Sequence, residues 1–121
     1  MSELLFLLDT NVAIGYLEGK QPARQLIEKH GAHTGNSAVS QITRIELLSY
    51  WALAANDEKG INALLSAVTV IGLNDLIEQE TIALRRRTRL KLPDAIIAAT
   101  AAVHGLTLLT LDDKLHAAIQ G

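Results

Sequence analysis

The chain has 121 residues, 49% apolar and 20% charged, with 11 Lys+Arg against 13 Asp+Glu and a formal net charge of −2. This is the balance of one ordinary folded domain spanning residues 1–121, and it excludes the disordered and fibrous classes. The absence of cysteine excludes a disulfide scaffold, a thiolate nucleophile and a Cys-ligated metal site, and the near-neutral charge counts against nucleic acid, whose binders carry a basic footprint.

In chain order, Met1-Ser2-Glu3 has no basic n-region and Leu4–Leu8 is too short for a signal h-region, so a cytoplasmic protein without a membrane segment is expected. Leu4–Leu8 is apolar at every position, as a parallel strand covered on both faces should be. Val12–Leu17 reads as a short helix ended by Gly19. Ala23–Lys29 reads as another, with Pro22 in its first turn and Gly31 past its end. Ser37–Ser40 is a short strand, and Thr43–Ala55 a helix with Ile45, Leu48, Ala52 and Ala55 at helical spacing. A polar break at Asn56–Gly60 precedes a further helix, Ile61–Ala67, and the β-branched, apolar Thr69–Leu73 is a strand. Asp75–Arg89 is a polar helix, and Pro93–Val103 a buried one opened by proline. Thr107–Leu111 is the last strand and Asp113–Ile119 the last helix.

Strands separated by helices imply right-handed βαβ crossovers and a parallel sheet, an α/β/α sandwich whose ligands bind outside the carboxyl ends of the strands. Four acids map to that edge. Asp9 follows the first strand and Asp112 the last, while Glu46 and Asp94 lie in the first turns of their helices. Each has a local alternative. Thr43-Arg44-Ile45-Glu46 fits a capping box, Asp94 suits a helix N-terminus, and Asp9 and Asp112 suit N-caps. Four carboxylates converging on one rim nonetheless repel unless a cation joins them, and Mg²⁺ or Mn²⁺ is the hard, oxygen-seeking ion for such a set. A cation so placed, positioning and activating water, is what phosphodiester hydrolysis requires.

The segments Leu7-Leu8-Asp9-Thr10-Asn11, Ser40-Gln41-Ile42-Thr43-Arg44-Ile45-Glu46-Leu47-Leu48, Leu92-Pro93-Asp94-Ala95-Ile96-Ile97-Ala98-Ala99-Thr100-Ala101 and His104-Gly105 through Leu109-Thr110-Leu111-Asp112 follow one another across nearly the whole chain. In that order they resemble PIN-domain ribonucleases, most closely the VapC toxins of type II toxin–antitoxin systems. The resemblance implies a PIN-like sandwich and an endoribonuclease dependent on Mg²⁺ or Mn²⁺. It makes Asp9, Glu46 and Asp94 the core metal-binding and catalytic acids, Asp112 the fourth acid, and Thr10, Asn11 and Thr110 supporting residues. Many relatives carry Arg or Asn after the matching Thr, so Asp113 competes with Asp112 for the fourth place. The partners implied are an RNA substrate, a cognate antitoxin and a second copy of the chain, forming with the antitoxin a heterotetramer or larger assembly. A PIN nuclease of RNA processing and a catalytically silent PIN scaffold are the alternatives, although a silent scaffold tends to lose an acid and this chain keeps all four.

Other features fit less specifically. Five of the 11 basic residues, Arg85, Arg86, Arg87, Arg89 and Lys91, lie just before Asp94. They read as a solvated helix end, as phosphate contacts or as a docking surface for an acidic antitoxin segment. Arg44, close to Glu46, has the same readings. His30, His33, His104 and His116 show no ligand spacing, and His104 before Gly105 reads as a helix end. Tyr50 and Trp51 read as core or oligomer contacts. A phospho-acceptor receiver would need paired acids after the first strand and a Lys-Pro near the last. A haloacid-dehalogenase-type phosphatase would need a second Asp where Asn11 stands. Both fit poorly.

Overall fold

Phe6, Leu7 and Leu8 are all buried and form β1 (Phe6–Leu8), the strand around which the molecule is organised. A computed structural model describes residues 3–49 and 55–120. β1 is flanked by β2 (Ser37–Ser40) on one side and β4 (Thr107–Leu109) on the other, and β3 (Thr69–Ile71) lies outside β2. All three pairings are parallel, giving the order β3-β2-β1-β4. Leu7 sits opposite both Ala38 and Leu108, so the register is fixed at the centre of the sheet.

The pleat sends alternate side chains to opposite faces. Leu7, Ala38 and Leu108 join one apolar cluster with Ile77, Leu84, Ile97 and Leu115. Phe6, Leu8, Val39 and Leu109 join the other, with Val12, Leu47, Leu64 and Val68. The sheet is thus covered on both faces, the expected α/β/α sandwich. The helices are α1 (Thr10–Leu17), α2 (Gln21–His30), α3 (Gln41–Leu48), α4 (Ala55–Ala67), α5 (Asp75–Arg87), α6 (Leu92–His104) and α7 (Asp113–Gln120). α1 and α2 pack closely at Gly15, where an added Cβ would lie 2.6 Å from that of Ala23. Gly31 and Gly105 close α2 and α6 at φ 69° and 64°, the left-handed C-cap that disfavours a side chain. No helix among the described residues is long and apolar enough to cross a membrane.

Several boundaries differ from expectation. α3 begins at Gln41, capped by the Ser40 hydroxyl, which accepts from the Ile42 amide at 3.1 Å. It ends at Leu48, well before Ala55. Positions 50–54, with Tyr50, Trp51 and Ala52, lie outside the described residues. The polar break expected at Asn56–Gly60 is instead the first part of α4. Asp57 and Glu58 in its first turn complement the helix dipole, and Ile61, Leu64 and Leu65 bury the turns that follow. β4 ends at Leu109, two residues early. Its partner β1 is only three residues long, and Asp9 turns into α1, leaving Thr110 no strand to pair with.

Candidate metal centre

The strand order reverses beside β1. Successive crossovers run outward from β1 through β2 to β3, and the next returns to the far side of β1 as β4. The connections leaving β1 and β4 therefore part in opposite directions, opening a crevice at their carboxyl ends. Asp9 and Thr110 are the first residues beyond those ends.

Asp9 is 4% exposed and is the N-cap of α1. Its Oδ1 accepts from the Thr10 amide at 2.8 Å and its Oδ2 from the Thr110 hydroxyl at 2.7 Å, while its own amide donates to the Leu109 carbonyl. The Thr110 oxygen in turn accepts from the Asp112 amide at 3.0 Å, and Asn11 Oδ1 accepts from the Leu111 amide at 3.3 Å. Residues about a hundred positions apart are thereby joined on both sides of the crevice.

Glu46 lies in the second turn of α3, not the first, because the helix starts at Gln41. The capping box does not form. The cap is Ser40, and Glu46 Oε1 instead accepts from the Thr10 hydroxyl at 2.6 Å. The same Thr10 oxygen lies 2.9 Å from that of Thr43, a fully buried residue. By sequence alone Thr43 reads only as a capping residue. The available signal was its spacing, three residues before Glu46 on one helix face.

Asp94 lies in the first turn of α6, after Pro93, where the positive helix end favours a carboxylate. Asp112 caps α7, its Oδ1 accepting from the amides of Lys114 and Leu115 at 2.9 and 3.2 Å.

Electrostatics tie these groups together. Burial pushes the Asp9 carboxyl above its ordinary pKa; the Thr110 hydroxyl and Thr10 amide pull it back, and the charges of Asp94 and Glu46 raise it further. Asp94 is also raised, first by burial, then by Asp112 and Glu46, with Lys91 acting in the opposite sense. Asp112 thus stands within electrostatic reach of Asp94, and Asp113 lies exposed at the start of α7.

Among the described residues, no three His, Asp or Glu side chains are gathered closely enough to enclose an ion as they stand. The donor set nonetheless fits a hard divalent cation. It is all oxygen and mutually repulsive, and the hydrogen bonds above engage only one carboxylate oxygen of Glu46 and one of Asp112, leaving the second of each to face a ligand.

Of the basic stretch, Arg85, Arg86 and Arg87 form the last turn of α5, and Arg89 and Lys91 lie in the connection to α6. Arg85, Arg86 and Arg89 line a groove of about 440 Å³ beside Leu92 at the start of α6.

The pattern of the PIN domain family matches residues 6–119. Ribonuclease VapC1 of Rickettsia felis is 29% identical over 126 residues, covering 95% of this chain and 90% of that protein. Among solved structures, a toxin–antitoxin complex from Klebsiella pneumoniae has a chain 36% identical, with TM-score 0.79 over 92% of this chain and 89% of that one. VapBC-1 from nontypeable Haemophilus influenzae superposes with TM-score 0.78 at 23% identity, over 97% of this chain and 93% of that one, a likeness of fold.

Proposed function

The chain belongs to the PIN domain family, and from that membership we propose that it is the toxin of a type II toxin–antitoxin pair, a Mg²⁺- or Mn²⁺-dependent endoribonuclease held silent by its cognate antitoxin. The observation that carries the nuclease reading is Asp9, a carboxylate at the reversal point of the sheet, raised in pKa first by burial and further by neighbouring acids. A carboxylate that only capped α1 would have no need of Glu46 and Asp94 nearby. The toxin reading draws support from the VapC ribonuclease and the toxin–antitoxin complexes that the chain resembles.

In this reading Asp9, Glu46, Asp94 and Asp112 hold the cation. Bound there, it would supply the positive charge that activates water and stabilises the developing charge on phosphate and leaving oxygen. The chain's own residues do the placing. Thr10 and Thr110 fix both Asp9 oxygens, so this carboxylate is oriented before a ligand arrives. Thr10 holds one oxygen of Glu46 and leaves the other for the cation. Asp94 brings its charge on a helix N-terminus, where carboxylates are favoured. Asn11 braces the Leu111 amide and so the loop that carries Asp112.

The test is cleavage by purified protein of single-stranded and structured RNA. Scission with Mn²⁺ or Mg²⁺ that stops on chelation is expected. RNA left intact with either ion, or cut equally well in chelator, overturns the nuclease reading. Growth arrest on expression, reversed by co-expressing the product of a small neighbouring gene, tests the toxin reading separately.

A further inference from the structure

Most threonines in these helices follow one rule. Thr81, Thr88 and Thr100 each donate to the carbonyl four residues earlier, those of Ile77, Leu84 and Ile96, all at 2.7 Å. That is the usual local outlet for a hydroxyl in or at the end of a helix. Thr43, only the third residue of α3, lacks that outlet, because the residue four positions earlier is Val39 of β2. Although it is fully buried in α3, its hydroxyl meets the Thr10 hydroxyl of α1 at 2.9 Å.

The direction of that bond follows from proton counting. Each hydroxyl has one proton to donate, and a carboxylate can only accept. Thr10 stands 2.6 Å from Glu46 Oε1, a length characteristic of a hydroxyl donating to a charged oxygen. Its proton is therefore committed to Glu46, and the proton between the two threonines belongs to Thr43. The result is a one-way chain from the Thr43 hydroxyl through the Thr10 hydroxyl to the Glu46 carboxylate. Each donor polarises the next, which strengthens the final bond. Glu46 is exposed, and an unrestrained Glu keeps rotamer entropy that ordering must overcome.

We propose that Thr43 is a positioning residue, acting through Thr10 to hold Glu46 ready for the divalent cation. This rests on the metal reading above and adds a buried hydroxyl remote from the ion. A packing role makes the opposite demand on side-chain shape. Thr→Val keeps the shape and removes the donor, whereas Thr→Ser keeps the donor and leaves a methyl-sized void. A packing residue therefore tolerates valine better than serine, and a relay residue tolerates serine better than valine.

The experiment compares wild type, Thr43→Val and Thr43→Ser by calorimetric titration with Mn²⁺ alone, and by NMR relaxation of the Glu46 side chain in metal-free protein. Thr43→Val is expected to bind Mn²⁺ on the order of tenfold more weakly, the lower end of what outer-shell changes cost. Its Glu46 side chain should be loosened, while Thr43→Ser stays within about twofold of wild type in affinity, a margin of under half a kcal/mol, with Glu46 ordered. Valine binding as tightly as wild type, or serine as weakly as valine, overturns the relay. If wild type binds no Mn²⁺, the metal reading fails instead. Glu46 order in the metal-free variants then still decides whether the relay exists.

Discussion

The two sides of the acidic rim are built differently. On the β1–β4 side, Asp9 is buried, both its oxygens accept hydrogen bonds, and Thr110 ties it to the loop carrying Asp112. On the other side, Asp94 is half-buried on the first turn of α6; burial raises its carboxyl first, then repulsion from Asp112 and Glu46, partly offset by Lys91. One acid is oriented by donors, whereas burial and the surrounding charges set the state of the other. The difference separates two jobs that a metal site must do. On the proposed reading, fixed donors would set where an ion sits, and an acid raised by its neighbours would gain from the ion's charge.

Removing the anchored charge should have the largest effect. Asp9→Asn keeps an oxygen for the Thr10 amide and lets the Thr110 hydroxyl turn to accept from the new amide, so the fold survives. Loss of a first ligand should lower Mn²⁺ affinity and RNA cleavage by about 100-fold or more, beyond what outer-shell changes cost; near-normal cleavage would remove Asp9 from the site. Thr110→Val should come next. It leaves Asp9 Oδ2 and the Asp112 amide without a partner, and should cost about tenfold to 100-fold in Mn²⁺ affinity together with roughly 1–3 kcal/mol of stability. Denaturant melts in chelator measure the second figure. If stability falls and affinity does not, Thr110 braces the fold alone.

The same contrast explains what could be read from the sequence. The positions of Asp9 and Asp94 are legible because short-range rules locate them, a strand end in one case and a proline-opened helix in the other. Glu46 was placed one turn early, since the cap is set by Ser40, and only its tertiary partner Thr10 distinguishes it from a capping glutamate. Thr43 reads only as a cap for the same reason. Its partner is 33 positions away, and no local pattern registers that bond. The Asn56–Gly60 segment misled because Gly60 and its polar neighbours suggest a break, whereas burial of Ile61, Leu64 and Leu65 carries the helix through them. On the proposed nuclease reading, the net charge is a poor guide too. A total of −2 combines four acids on the rim with five basic residues gathered before Asp94.

The anchored acid also fixes the sign of a pH effect. The folded Asp9 and Asp94 carboxyls lie above the unfolded value of 3.8. Such groups contribute stability that is fully present below 3.8 and lost as pH rises through their raised folded values. At neutral pH without a cation, both therefore oppose folding. Asp9→Asn, which cannot ionise, should melt higher than wild type in chelator at pH 7. The gap should close as pH falls to about 4 and also shrink when Mn²⁺ is added to wild type. A gap that persists at pH 4 would mean that the gain comes from something other than charge.

The smallest expected effect tests the balanced side. Lys91 is exposed at the N-cap of α6, where its side chain makes no cap hydrogen bond, and it favours the charged form of Asp94. Two opposite consequences follow from removing its charge. In metal-free protein, Lys91→Gln leaves the repulsion from Asp112 and Glu46 less offset, so the Asp94 carboxyl should titrate still higher by NMR. With the cation present, the ammonium is a like charge near the site, and its loss should tighten Mn²⁺ binding by about two- to threefold, the scale of one screened, exposed charge contact. Both changes should fade at high salt. The rim on the Asp9 side should respond to neither the substitution nor the salt to the same degree, because its carboxylate is held by hydroxyl and amide donors. Weaker Mn²⁺ binding in Lys91→Gln would show instead that Lys91 supports the ion's site, and that Asp94 is anchored through it as firmly as Asp9 is through Thr110.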